Sequence, residues 1–169
     1  MTDLRSAPVP PLRDDDHVRG PDQDPARPLV FFYGDFACPH CAVAHARLSQ
    51  QPVRVAFRHF ALRAKHPRTV PLAQAAEAAA LQGAFWRLHD ALYADQGRLD
   101  DPHLWARMRE LGLDLERFDA DRRAPNAAER VARDVREAMR AGMVTTPTLV
   151  VAGELHPGVP SAAWIAALG

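Results

Sequence analysis

Apolar residues are laid along this chain in three distinct patterns. From Leu29 to Tyr33 they run unbroken between Pro28 and Gly34, which predicts a strand buried on both faces. From Val53 to Phe60 they alternate: Val53, Val55 and Phe57 share one face and Arg54 and Arg58 the other, so a strand with one wetter face is expected. Between these two, residues from about Pro39 to Leu48 suit a helix, with proline at its first position. Strand, helix, strand predicts a right-handed parallel crossover.

Residues 69–142 switch to helical spacing. Phe85, Leu88 and Leu92 recur on one face, as do Leu104, Met108 and Leu111. Asp101 with Pro102 reads as a helix start, and Asn126 with Glu129 three positions later resembles a capping box. Val131, Val135 and Met139 predict the inner stripe of the last helix, which Gly142 ends. About four helices are expected in this block. Strand signals return at Thr148 to Ala152, Gly153-Glu154 turns the chain into a short strand around Leu155, and a helix from about Ser161 buries Trp164, Ile165 and Leu168. The sum is an α/β domain: a βαβ half (27–66), an all-helical insertion (67–142) and a ββα half (143–169). Residues 1–26, rich in Pro, Asp and Arg and without periodicity, read as an N-terminal arm, lying on the domain or partly disordered.

Charge and composition narrow the function classes. The 169 residues hold 21 basic and 21 acidic side chains, so nothing in the balance recruits nucleic acid or an anionic membrane surface. No stretch approaches the roughly 20 apolar residues of a membrane span, and no secretory leader is evident, so the cytoplasm is the expected compartment. In a reducing cytosol, two cysteines separated by two residues would staple almost no chain as a structural disulfide. Cys38 and Cys41 therefore call for a chemical reading.

With Pro39 as the first helical residue, Cys38 takes the N-cap. Its sulfur then faces the free N–H groups of His40 and Cys41 and the positive end of the helix dipole, which favour a thiolate. A protonated His40 nearby adds to that preference. Cys38 is thus the predicted nucleophile and Cys41, one turn further in, the predicted resolving thiol. Zinc wants four ligands and no second cysteine pair is present; only His59 or His66 stands ready to complete such a site. No metal and no organic cofactor is expected. Far downstream, Pro147 in Thr145-Thr146-Pro147-Thr148 reads from the residues alone as the start of a strand.

Taken in order, Asp16-His17-Val18-Arg19-Gly20-Pro21, Tyr33-Gly34-Asp35-Phe36, Cys38-Pro39-His40-Cys41, Phe57-Arg58-His59-Phe60, Ala76-Glu77-Ala78-Ala79, Phe85-Trp86 with His89-Asp90, and Thr146-Pro147-Thr148 resemble the DsbA-like branch of the thioredoxin superfamily. The likeness runs from about residue 16 to the end, and is strongest to soluble domains also found fused to some antiporters. It implies a thioredoxin-like fold with a helical insertion, and disulfide exchange with protein or peptide substrates and an unidentified redox partner. It also implies a cis Pro147 lying against the cysteine pair, with Thr146, Pro147 and Phe36 meeting the substrate. Relatives commonly carry a buried acid six residues before the first cysteine. Phe32 stands there instead, leaving Asp35 or water to serve Cys41.

Two rivals compete. A kappa-type glutathione-dependent transferase or isomerase shares the architecture but lacks the paired cysteines, and a non-enzymatic redox sensor or binding module would keep the pair without turnover. His45, His59 and His89 are expected to be hydrogen-bonded core histidines, and Phe85, Trp86 and Tyr93 to be insertion core.

Overall fold

The computed structural model describes residues 6–20 and 24–168. Residues 1–5 and 21–23 of the expected arm, Pro21 among them, and Gly169 at the end of the expected last half lie outside the described residues.

Among the described residues five strands form one sheet: β1 (His17–Arg19), β2 (Leu29–Gly34), β3 (Arg54–His59), β4 (Thr148–Val151) and β5 (Glu154–Pro157), in the order β1-β3-β2-β4-β5. β2 and β3 are parallel, as the crossover through α1 (Pro39–Leu48) requires, and every other pairing is antiparallel. β4 and β5 are joined by Ala152 and Gly153, both at positive φ, the mark of a tight hairpin turn. The insertion holds α2 (Thr69–Ala80), α3 (Phe85–Ala94), α4 (Asp101–Glu110), α5 (Leu115–Arg123) and α6 (Pro125–Arg140), and α7 (Ala162–Ala166) follows β5.

Alternation along β2 and β3 divides the core into two layers. Val30, Phe32, Val55 and Phe57 pack with Leu149, with Cys41, Ala44 and Leu48 of α1, and with Leu88 and Leu92 of α3. On the opposite face Tyr33, Phe60 and Val150 meet Ala138 and Ala141 at the end of α6, together with Met143 and Val9.

That second layer corrects several expectations. Arg58 is not on a wetter face but wholly buried. Its five N–H groups are all spent: on the Pro10 and Pro11 carbonyls, on the Tyr33 hydroxyl, and twice on the Asp16 carboxylate. The arm segment 10–16 is therefore clamped onto β3, and the chain beyond it supplies β1, a strand that alternation could not reveal in three residues. The insertion contains five helices, not four, because Pro125 breaks α5 from α6. Ala124 caps α6, so Asn126 and Glu129 lie inside the helix and form no capping box. Its inner stripe is Ala127, Val131, Asp134 and Ala138; Met139 is 62% exposed. Asp134 displaces the expected Val135–Met139 face because it accepts the His59 backbone N–H at 3.1 Å and the Arg13 guanidinium at 2.8 Å. Of the three residues expected to be buried at the last helix only Ile165 is; Trp164 in α7 and Leu168 just beyond it are half-covered.

Candidate active site

The end of β2 builds the site. After Gly34 the chain turns through Asp35, whose carboxylate oxygen Oδ1 accepts the Ala37 N–H at 2.8 Å while its carbonyl accepts the Cys38 N–H at 3.1 Å. Cys38 is left in extended geometry as the N-cap of α1, with Pro39 in the first turn. β4 runs antiparallel to β2 with Thr148 opposite Tyr33, which carries the segment before β4 to the same end of the sheet. The Thr146–Pro147 bond there is cis, and the Cys38 thiol donates to the Thr146 carbonyl at 3.6 Å. Gly158 N–H to the Pro147 carbonyl and the Thr148 hydroxyl to the Thr145 carbonyl, both 2.8 Å, fasten this segment.

The two sulfurs differ in setting. Both cysteines are unbonded; Cys38 is 4% exposed and Cys41 fully buried. The Cys38 thiol is brought down to about 4, chiefly by the hydrogen bond that Cys41 offers it; desolvation opposes this, while a side-chain hydrogen bond from Thr146 and the backbone N–H groups of Cys41 and His40 help. Cys41 is pushed far up by burial and by the neighbouring Cys38 sulfur, and the Asp35 N–H donates to its Sγ at 3.4 Å. One sulfur is favoured as a thiolate at the helix start; the other is held as a thiol deeper in the core.

Of the residues named from sequence, Cys38, Pro39, His40 and Cys41 open α1, with His40 exposed, and Thr146 and Pro147 lie beside Cys38. Phe36 does not face outward. It is 1% exposed, its ring 5.2 Å from those of Phe57 and Tyr93, because the Asp35–Ala37 turn tips it into the core beneath the pair. The expectation of a substrate-contacting Phe36 is corrected accordingly. Phe32 is buried too, edge-on to Phe57, and offers no proton acceptor.

Asp35 is buried, held by the Thr69 hydroxyl of α2 at 2.5 Å, and its carboxyl is raised by that burial. Thr69 went unnoticed in the sequence because a single threonine at a helix start carries no motif.

His45, His89 and Asp90 form a second cluster, with ligand-type atoms within 4.8 Å of one another. Its carboxylate already holds Arg19 Nη1 at 2.8 and 2.9 Å and the His89 ring at 2.9 Å, and Arg19 also reaches His45 at 3.4 Å. The Asp90 carboxylate of this cluster is thus already paired with a guanidinium. His59 likewise pairs with Glu77, at 2.6 Å. Among the described residues no helix is long and apolar enough to cross a membrane.

A mixed sheet in this order, with a cysteine pair at the start of the crossover helix and a helical block between its halves, is a thioredoxin-like architecture. The chain belongs to the family described as the DSBA-like thioredoxin domain, which matches residues 29–167. It is similar to the Na(+)/H(+) antiporter NhaA 1 of Salinispora arenicola, 43% identical over 158 residues, covering 89% of this chain and 24% of that protein. The NhaA antiporter of Herminiimonas arsenicoxydans is 40% identical over 146 residues, 82% of this chain and 22% of that one. The chain thus spans about a quarter of the length of the curated relatives it matches. Among solved structures, a thioredoxin-like oxidoreductase from Silicibacter pomeroyi superposes with a TM-score of 0.80 at 26% identity, covering 90% of this chain and 89% of that one. The thiol-disulfide exchange protein alpha-DsbA2 from Wolbachia pipientis shares the fold, with a TM-score of 0.77 at 16% identity and coverage of 88% and 82%.

Proposed function

We propose that this domain exchanges disulfides with protein or peptide substrates through Cys38 and Cys41. The observation that carries the reading is the opposed setting of the two sulfurs, one favoured as a thiolate at a helix start and the other a buried thiol within its reach. The Cys38 thiolate attacks one sulfur of a substrate disulfide, forming a mixed disulfide and releasing the other sulfur as a thiolate. Cys41 then attacks Cys38, closing the Cys38–Cys41 bond and freeing the second substrate sulfur. The substrate gains two electrons and the pair loses them; run backwards, the same steps oxidise a dithiol.

Pro39 fixes the helix start, His40 lends a backbone N–H to the thiolate, and the Thr146–Pro147 segment takes the substrate chain alongside. Exposed Val43, one turn beyond His40, and Val144, two residues before Thr146, give that chain apolar surface. The partners we assign are thiol or disulfide proteins and a separate redox partner that resets the pair, in the cytoplasmic setting expected from the sequence. The intact pair weighs against a kappa-type transferase.

Turnover of an insulin-type disulfide with excess small-molecule thiol tests this. Wild type accelerates the reaction, Cys38→Ala does not, and Cys41→Ala accumulates mixed disulfides visible on a non-reducing gel. Near-native turnover by Cys38→Ala would sink the proposal.

A further inference from the structure

Resolution demands that Cys41 give up a proton inside an aromatic core, and the position of the family's acid holds Phe32. Two unsatisfied polar atoms stand at that spot. The Tyr93 hydroxyl of α3 is buried without a hydrogen-bond partner, as is Oδ2 of Asp35. Buried groups of this kind are seldom left unpaired without a reason. Space for the hydroxyl comes from Gly34, where an added Cβ would lie 2.8 Å from the Tyr93 oxygen and 2.8 Å from the Phe57 ring. Gly34 is bonded to Asp35, whose N–H reaches the Cys41 sulfur at 3.4 Å. The hydroxyl, the carboxylate and the sulfur therefore converge on one turn of chain.

We propose that Tyr93 and Asp35 form a buried relay for Cys41, the tyrosine donating a hydrogen bond to its sulfur and the aspartate taking its proton. The idea rests on the disulfide-exchange reading above. As Cys41 attacks, its S–H proton passes to Asp35 Oδ2 and its electron pair makes the bond to Cys38. The bond from Cys38 to the substrate sulfur breaks, and that pair leaves on the substrate. Tyr93 keeps its proton throughout, and Asp35 later returns the one it holds to solvent.

The surroundings suit these roles. Burial, and then the nearby Cys41, Asp35 and Cys38, hold Tyr93 as a phenol. Desolvation raises Asp35, bringing it closer to the thiol it must relieve. The other titratable groups around the centre are Cys38 and His45 on α1, His59 on β3, His66 before α2 and His89 on α3. Desolvation lowers His45, and takes His89 down to about 3, so both are neutral at pH 7 and neither supplies the proton traffic.

The test uses the full chain and an aromatic disulfide, dithionitrobenzoate, which reports two releases: one when Cys38 attacks and one when Cys41 resolves. In Tyr93→Phe, which removes a single oxygen, the first release should stay within about 2-fold of wild type. The second should slow by about 10-fold or more, the weight of one hydrogen bond to a charged group, and its pH midpoint should move about one unit alkaline. Asp35→Asn, which keeps the Oδ1 acceptor for Ala37 and Thr69, should slow the second release and flatten its pH dependence. An unchanged second release and pH midpoint in Tyr93→Phe would overturn the relay while leaving disulfide exchange standing. Failure of wild type to form the mixed disulfide would overturn both.

Discussion

A sulfur at a helix start owes its acidity to whatever donates hydrogen bonds to it, and for Cys38 the foremost donor is Cys41 rather than the backbone. Removing that donor has a definite consequence. In Cys41→Ala the Cys38 thiolate should titrate at a higher pH than the wild-type value of about 4, moving back toward the ordinary thiol range. Thiolate ultraviolet absorbance followed against pH reads the midpoint directly, and an unmoved midpoint would shift the credit to Thr146 and the helix N–H groups. This part of the site was legible in advance. The Cys38-Pro39-His40-Cys41 tetrad follows a buried strand, and proline at the first helical position fixes which cysteine is the cap. Phe36, Thr69, Gly34 and Tyr93 were not legible in the same way. Whether an aromatic ring faces outward, or a tyrosine hydroxyl lands against a glycine 59 positions earlier, depends on packing between α3 and β2 that no local pattern encodes.

β2, α1 and β4 begin within a residue of where periodicity and proline put them, since each has a boundary residue of its own. Alternation locates β3 but not the burial of its polar face, because it says which residues share a side and not what covers it. What covers it is the arm, through Arg58. Replacing Arg58 with methionine keeps the bulk but strands the buried Asp16 carboxylate, so a loss of about 3–5 kcal/mol in denaturant-derived stability is expected. A loss below about 1 kcal/mol would mean that Arg13 and Arg130 suffice to hold Asp16. Acid should loosen the same joint. Asp16 sits at about 2 because Arg58 and Arg13 outweigh its desolvation, so its contribution is complete above the usual carboxylate range and disappears as pH falls through about 2.

For the whole molecule, redox state and stability are linked. The reduced fold contains a thiolate with a pKa near 4 against an ordinary value near 9, and the disulfide form contains no such group. That advantage is complete above pH 9, shrinks as pH falls and is gone below about 4; at pH 7 it is on the order of 4 kcal/mol. Closing a loop as short as Cys38–Cys41 returns only about 2 kcal/mol to the oxidised form. Urea midpoints should therefore be higher for the reduced protein at pH 7, with the order reversing at roughly pH 5–6. A disulfide form that is the more stable at pH 7 would contradict the acidity assigned to Cys38. The clamped arm has a consequence of another kind. A protein that exchanges disulfides with extended chains, as proposed above, risks annealing to them along its sheet rims, where unpaired N–H and C=O groups act as templates. Here β1 masks the outer side of β3 and is itself only three residues long, while the far rim, β5, ends in Pro157, which has no N–H to offer. Neither rim presents a long ladder, so a client chain of the proposed disulfide exchange would be held at the sulfurs without being drawn into the sheet.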